Sequence, residues 1–223
     1  MYKAINYKEY IRYQDGLSMQ KKAFEMIKEG KVDGILLILE HYPVYTIGTN
    51  GGWENLLYSK EALKQQGIDI IEISRGGNIT FHGLGQIVAY PVFNLEKLKK
   101  DAHWYIDCLE NVVIDVLREY EIRGSKKSEY RGVWVEDNKI AAIGVHVKKW
   151  ITLHGLSFNI VVDKKYFDMI NPCGITKFGI SSLKDYVKNP DLKSVKQKLI
   201  ESFENVFEIQ LDEAEESLLE NED

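Results

Sequence analysis

The sequence predicts an α+β domain, a mixed and largely antiparallel sheet flanked by helices. Three observations carry this. Strand-length and helix-length segments do not alternate regularly, which argues against a doubly wound parallel fold. Three strand-like segments follow one another between Tyr130 and Ile160, as in a meander. The 223 residues are 44% hydrophobic and 28% charged, which supports a sizeable core and excludes a disordered chain.

Taken in order, Tyr7 to Glu29 reads as a helix. Ile11, Leu17, Ala23, Phe24 and Ile27 supply its apolar stripe, Asp15-Gly16 is a candidate break, and Gly30 is the stop. Gly34 to Leu39 is an uninterrupted apolar run of strand length. Pro43 marks a turn before a second short strand, Val44 to Ile47, and Gly48 to Gly52 is a loop. Ser59 to Gln66 is a short helix, with Ser59 as its cap and Gly67 as its end. Ile68 to Ile73 is a strand, Arg75 to Gly85 a glycine-rich turn, and Gln86 to Phe93 a strand. Trp104, Cys108, Val112, Val116 and Tyr120 recur every four residues and mark His103 to Tyr120 as a helix. In the meander, Gly132 to Glu136 and Ile140 to Val147 flank a turn at 137–139, and Ile151 to Ile160 follows. Tyr166 to Ile170 is a helical turn, and Leu192 to Phe207 is the last helix.

The net charge of -5 is concentrated at one end. Seven acidic residues lie among the last twelve, and removing them leaves +2 for residues 1–211. We therefore expect one domain over 1–211 and a frayed acidic tail over 212–223. A nearly neutral body lacks the basic face of a nucleic-acid binder. Its lysine pairs, 126–127, 148–149 and 164–165, suit an acidic protein partner. The longest apolar run, Gly34 to Leu39, is too short to span a bilayer, and Met1 to Asn6 has no signal-peptide character. A cytoplasmic protein that does not engage membranes is expected.

Cys108 and Cys173 are the only cysteines, too few for a disulfide framework or a four-thiolate zinc site. No His-x-His or His-x-x-x-His pair occurs, so no metal is expected. Cys108 lies on the apolar stripe of its helix and reads as core. Cys173 lies between Pro172 and Gly174, with no apolar periodicity, as a thiol presented to a substrate would. Its proton partner could be any of His41, His82, His103, His146 and His154, or a lysine such as Lys139, which leads the apolar run Ile140 to Gly144. The stretch Ile73 to Gln86 holds four glycines around Arg75, Thr80 and His82. It lacks the Gly-Lys-Ser/Thr of a phosphate loop and the following helix of a dinucleotide fingerprint.

Four motifs together bear a family resemblance. The segment from Arg75 to Pro91, RGGNITFHGLGQIVAYP, closely resembles the signature of the octanoyltransferases of lipoate biosynthesis. Lys139 to Val145 (KIAAIGV), Thr152 to Asn159 (TLHGLSFN) and Asn171 to Ile175 (NPCGI) resemble, in order, that family's lysine segment, acyl-facing strand and nucleophile loop. Glu40 to Gly48 (EHYPVYTIG) also fits. Two residues depart from the pattern: Leu84 stands where proline is usual, and Phe81 where tyrosine is common.

The resemblance implies the fold of lipoate and biotin protein ligases. It implies that Cys173 carries the acyl group as a thioester and that Lys139 tunes that thiol. Substrate contacts would come from Arg75, Gly76, Gly77, Asn78, Ile79, Thr80, Phe81 and His82, from Ala142, Ile143 and Gly144, and from Gly155, Leu156 and Ser157. The implied partners are octanoyl-acyl carrier protein as donor, and lipoyl domains and glycine cleavage H protein as acceptors. The enzyme would act as a monomer with no cofactor. The alternative is an ATP-dependent lipoate-protein ligase of the same fold. Ligases carry a longer glycine run and an aspartate after the histidine, whereas here Gly83 follows His82.

Overall fold

The computed structural model describes residues 1–171 and 178–219. In chain order the strands are β1 (Tyr2–Ile11), β2 (Gly34–His41), β3 (Val44–Ile47), β4 (Asp69–Glu72), β5 (Ile79–His82), β6 (Gln86–Phe93), β7 (Gly124–Lys127), β8 (Tyr130–Val135), β9 (Asn138–Lys148), β10 (Ile151–Asn159), β11 (Gly179–Ile180) and β12 (Leu211–Glu213). The helices are α1 (Tyr13–Lys28), α2 (Lys60–Gln65), α3 (Ala102–Arg118) and α4 (Leu192–Phe207).

The large sheet runs β12-β1-β2-β6-β10-β9-β8-β7, with β11 added beside β9. Its middle is antiparallel, while β12, β1 and β2 run parallel to one another. The order β4-β3-β5 makes a second, three-stranded sheet. The mixed, mostly antiparallel architecture expected from irregular alternation is the one observed.

Strand alternation divides the core. On one face of the large sheet Leu36, Ile38, Ile87, Ala89, Leu156 and Phe158 pack with α3 and α4. On the other, Ile35, Leu37, Val88 and Tyr90 pack with Ala23, Phe24 and Ile27 of α1. A third cluster, with Tyr45, Ile47, Ile79, Phe81 and Phe167, belongs to the small sheet.

Several expected elements are corrected. Tyr7 to Ile11 is not helix but the end of β1, and the helix begins at Tyr13. Gly16 does not break α1; it packs so closely on His41 that a Cβ there would come within 2.9 Å of the ring. The glycine-rich stretch contains the strand β5, and β7 precedes the meander. The meander's turn is at 136–137, one residue earlier than expected. The acidic end does not fray over Asp212 to Leu219. There Asp212 and Glu213 pair with Lys3 and Ala4 of β1, and Leu219 is buried against the α1 side of the core.

Candidate active site

A narrow cleft lies on the α1 face of the large sheet. Its floor follows from register: Ala142 faces Ser157 and Gly144 faces Gly155 across β9 and β10, and Ser157 faces Val88 on β6. Side chains two residues apart share a face, so Tyr90 joins the same floor. Arg75, Gly77, Thr80 and His82 line the cleft from the side of the small sheet, and Tyr13 lines it from the start of α1.

Two side chains reach this cleft only because a strand departs from regular geometry. The first is Lys139. On β8 and β9, Val133 pairs with Ala141 but Trp134 pairs with Lys139, so Ile140 is an extra residue, a β-bulge. Ile140 and Ala141 both turn into the core beneath α3. Lys139 is thereby switched to the face of Ala142 and Gly144, where it lines the cleft. Its Nζ donates to the Arg131 carbonyl at 3.0 Å and lies 4.9 Å from the centre of the Trp134 ring. Gly132, opposite the bulge, has φ +129° and no space for a Cβ, which would sit 2.5 Å from the Ala141 carbonyl oxygen.

The second is His154. Alternation would place it with Leu156 on the far face, but its φ is +60°. Such a conformation costs a non-glycine residue about 1–3 kcal/mol. Its N–H donates to Gln20 of α1 at 2.7 Å, and its ring lies by Ser74 and Tyr90. Burial, with the Arg75 guanidinium nearby, pushes its pKa down to about 4.

His41 and His82, also buried beside the cleft, are likewise held neutral. His41 has its Nδ1 2.8 Å from the Ile11 carbonyl and its Nε2 2.7 Å from the Tyr90 hydroxyl. A carbonyl only accepts, so Nδ1 carries the proton and Tyr90 donates to Nε2. Burial lowers the His41 pKa to about 4. The Tyr13 hydroxyl adjoins that of Tyr90, and burial raises the Tyr13 pKa to about 12. His82 donates from Nδ1 to Gln86 Oε1 at 2.8 Å, since the Gln86 amide nitrogen donates to Phe81 and Asn159. Burial, then His41 and Arg75, keep the His82 pKa well below the ordinary imidazole value. These rings offer fixed polar contacts and no charge at neutral pH. Arg75, also buried, donates to the carbonyl and hydroxyl of Thr46 at 2.7 and 2.9 Å, which ties the cleft to β3. The guanidinium side chain packs on Gly144, where a Cβ would meet Arg75 Cδ at 2.9 Å.

Of the residues expected at the site, Lys139, Arg75, Gly77, Thr80, His82, Ala142, Ile143, Gly144, Gly155, Leu156 and Ser157 line this cleft. Gly76 and Asn78 line an adjoining cleft of about 500 Å³, which also reaches Lys139 and Ile143. Ile79 and Phe81 point the other way along β5, into the core of the small sheet. Cys173 lies outside the described residues. Tyr13, Val88, Tyr90, Arg131 and His154 also line the cleft and were not among the expected contacts. The alternation of Val88 and Tyr90 in QIVAYPVF was a usable signal, because it puts both on one face; nothing local marks Tyr13.

Residues 12–204 match the lipoyl protein ligase A/B catalytic domain. The chain is 48% identical over 204 residues to the octanoyltransferase of Thermoanaerobacter pseudethanolicus, covering 91% of this chain and 89% of that protein. The chain belongs to the octanoyltransferase family. The octanoyltransferase of Clostridium kluyveri is 49% identical over 201 residues, 90% of this chain and 86% of that protein. Among solved structures, a bi-partite lipoate protein ligase from Thermoplasma acidophilum superposes with a TM-score of 0.77 at 17% identity, covering 96% of this chain and 87% of that one. That likeness is one of fold, and the fold is the one the motifs implied. Membership of the family makes the chain an acyltransferase, as expected.

Proposed function

We propose that this chain transfers an octanoyl group from octanoyl-acyl carrier protein to a lysine of lipoyl domains and of the glycine cleavage H protein, the first step of making lipoate in place. Cys173 and Lys139 carry the chemistry. The Cys173 thiolate, which the ammonium of Lys139 would favour, attacks the donor thioester. The carrier's sulfur leaves and takes the proton from Lys139. The acceptor amine then attacks the Cys173 thioester, Lys139 accepts the proton that the amine loses, and the Cys173 thiolate departs as the amide forms. The enzyme returns to its starting state. Exchange between thioesters is close to isoenergetic and the final amide is more stable, so no nucleotide is consumed.

The observation that carries this reading is the bulge at Ile140, which gives Lys139 the same face as Ala142, Gly144, Gly155 and Ser157. A proton-transfer group thus borders a groove with small residues on its floor. An octanoyl tail in that groove would gain about 0.8 kcal/mol for each buried methylene.

Incubation with octanoyl-carrier protein and a lipoyl domain tests the proposal. Octanoylation of the acceptor, read by its mass, is expected to proceed at the same rate with and without ATP. An absolute requirement for ATP, with free octanoate or lipoate as the better donor, would establish the ligase alternative instead.

A further inference from the structure

One buried carboxylate lies behind the site, on the far side of the strand that holds Lys139. Glu110 of α3 is almost fully buried, and its Oε1 accepts from the Gly132 N–H at 3.0 Å. The carbonyl of the same peptide group, that of Arg131, accepts from Lys139 Nζ at 3.0 Å. A single peptide therefore lies between a carboxylate and an ammonium, with its N–H toward the first and its C=O toward the second. Both contacts are charge-assisted, and hydrogen bonds in such a chain polarise one another. Only glycine fits this arrangement, because Gly132 has φ +129° and a Cβ there would lie 2.5 Å from the Ala141 carbonyl oxygen. The half-exposed Arg131 guanidinium lies 4.0 Å from Glu110 Oε2.

We propose that Glu110 is a positioning residue for Lys139, acting through the peptide that joins Arg131 to Gly132. Glu110 does not line the cleft and touches no substrate; it orients the acceptor that holds the amine. This rests on the role given to Lys139 above.

A double-mutant cycle on the full chain tests it, with the rate of octanoyl transfer from the acyl-enzyme to a lipoyl domain as the readout. Glu110→Met removes the acceptor and is expected to slow transfer roughly five- to a hundred-fold, the range for loss of one buried partner. Glu110→Gln keeps an acceptor oxygen and is expected to recover most of that rate, to within about threefold of the parent, since a neutral bond is about half as strong. In a Lys139→Ala background, Glu110→Met is expected to cause no further loss, because the two residues act as one unit. A full additional loss in that background, or equal losses for Gln and Met, would overturn the proposal. Full activity of Lys139→Ala itself would instead overturn the role of Lys139. If Glu110→Met does not fold, Glu110→Gln decides: its small loss is expected to vanish in the Lys139→Ala background, and persistence of that loss contradicts the proposal.

Discussion

Lys139→Ala is expected to slow octanoyl transfer about 10²- to 10⁴-fold, the range for a positioned proton-transfer group. The loss should fall more heavily on the second half-reaction. A thiol leaves readily as thiolate, with an ordinary pKa of about 8.5, but an acceptor lysine, at about 10.4, is protonated at neutral pH and must shed a proton to form an amide. The acyl-enzyme should therefore accumulate in the variant, and single-turnover measurements of the two halves would show it. Lys139→Arg should not restore the rate, because a guanidinium cannot give up its proton. The fold should survive either change, since the Lys139 amine lines a cleft, by the Arg131 carbonyl and the Trp134 ring, and belongs to none of the three apolar clusters of the core. Transfer to the acceptor at the parent rate in Lys139→Ala would exclude the lysine from the chemistry.

The largest effect on stability is expected from Glu40→Ala. Glu40 at the end of β2 is paired with Lys196 of α4 at 3.2 Å, and both side chains are buried. Its second oxygen accepts from the Gly85 N–H at 3.0 Å, in the turn that follows His82. Lys196 also donates to the Tyr7 carbonyl at 3.2 Å. Removing the carboxylate leaves an ammonium in the interior without its counter-charge. Breaking such a pair from one side costs about 3–5 kcal/mol. At roughly 2–4 °C per kcal/mol for a chain of this size, the melting temperature should fall by about 10 °C. The double variant Glu40→Met with Lys196→Met should recover much of the loss, because it removes both charges. Thermal unfolding of the three proteins tests this. A shift below about 2 °C for Glu40→Ala would mean that water reaches the pair.

The legible parts of the sequence were those with a strong local pattern. β2 and β6 are apolar runs bounded by turn residues. α3 has an unbroken four-residue stripe, and α2 has its Ser59 cap, whose side chain accepts from the Ala62 N–H. The illegible strands have no such pattern. β7 is GSKK and β12 is LDE; both are edge strands made by pairing, and polar residues suit an exposed edge. β5 is four residues between glycines, so its strand character hides within a turn signal. β1 carries exposed Lys8, Glu9 and Tyr10 at its end, where its pairing with β2 slips, and there its residues mimic the start of the following helix.

The site was legible in composition and not in geometry. The motifs located Lys139 and the glycine-rich segment, but alternation counted from Ala141 would have put Lys139 beneath the sheet. The extra residue at Ile140 reverses that, and only the pairing of Trp134 reveals it. His154 escapes alternation through its left-handed backbone. Tyr13 comes from the first turn of α1, far away in sequence, and reaches the cleft through packing on His41 and His82.

The most direct measurement is the intact mass of the chain after brief mixing with octanoyl-carrier protein, without ATP and without acceptor. The parent should gain the mass of one octanoyl group, bound through a linkage that hydroxylamine cleaves at neutral pH, and Cys173→Ser should gain none that hydroxylamine removes. An unmodified parent that nevertheless octanoylates a lipoyl domain, or a Cys173→Ser variant that does so at full rate, would contradict a thioester on this cysteine.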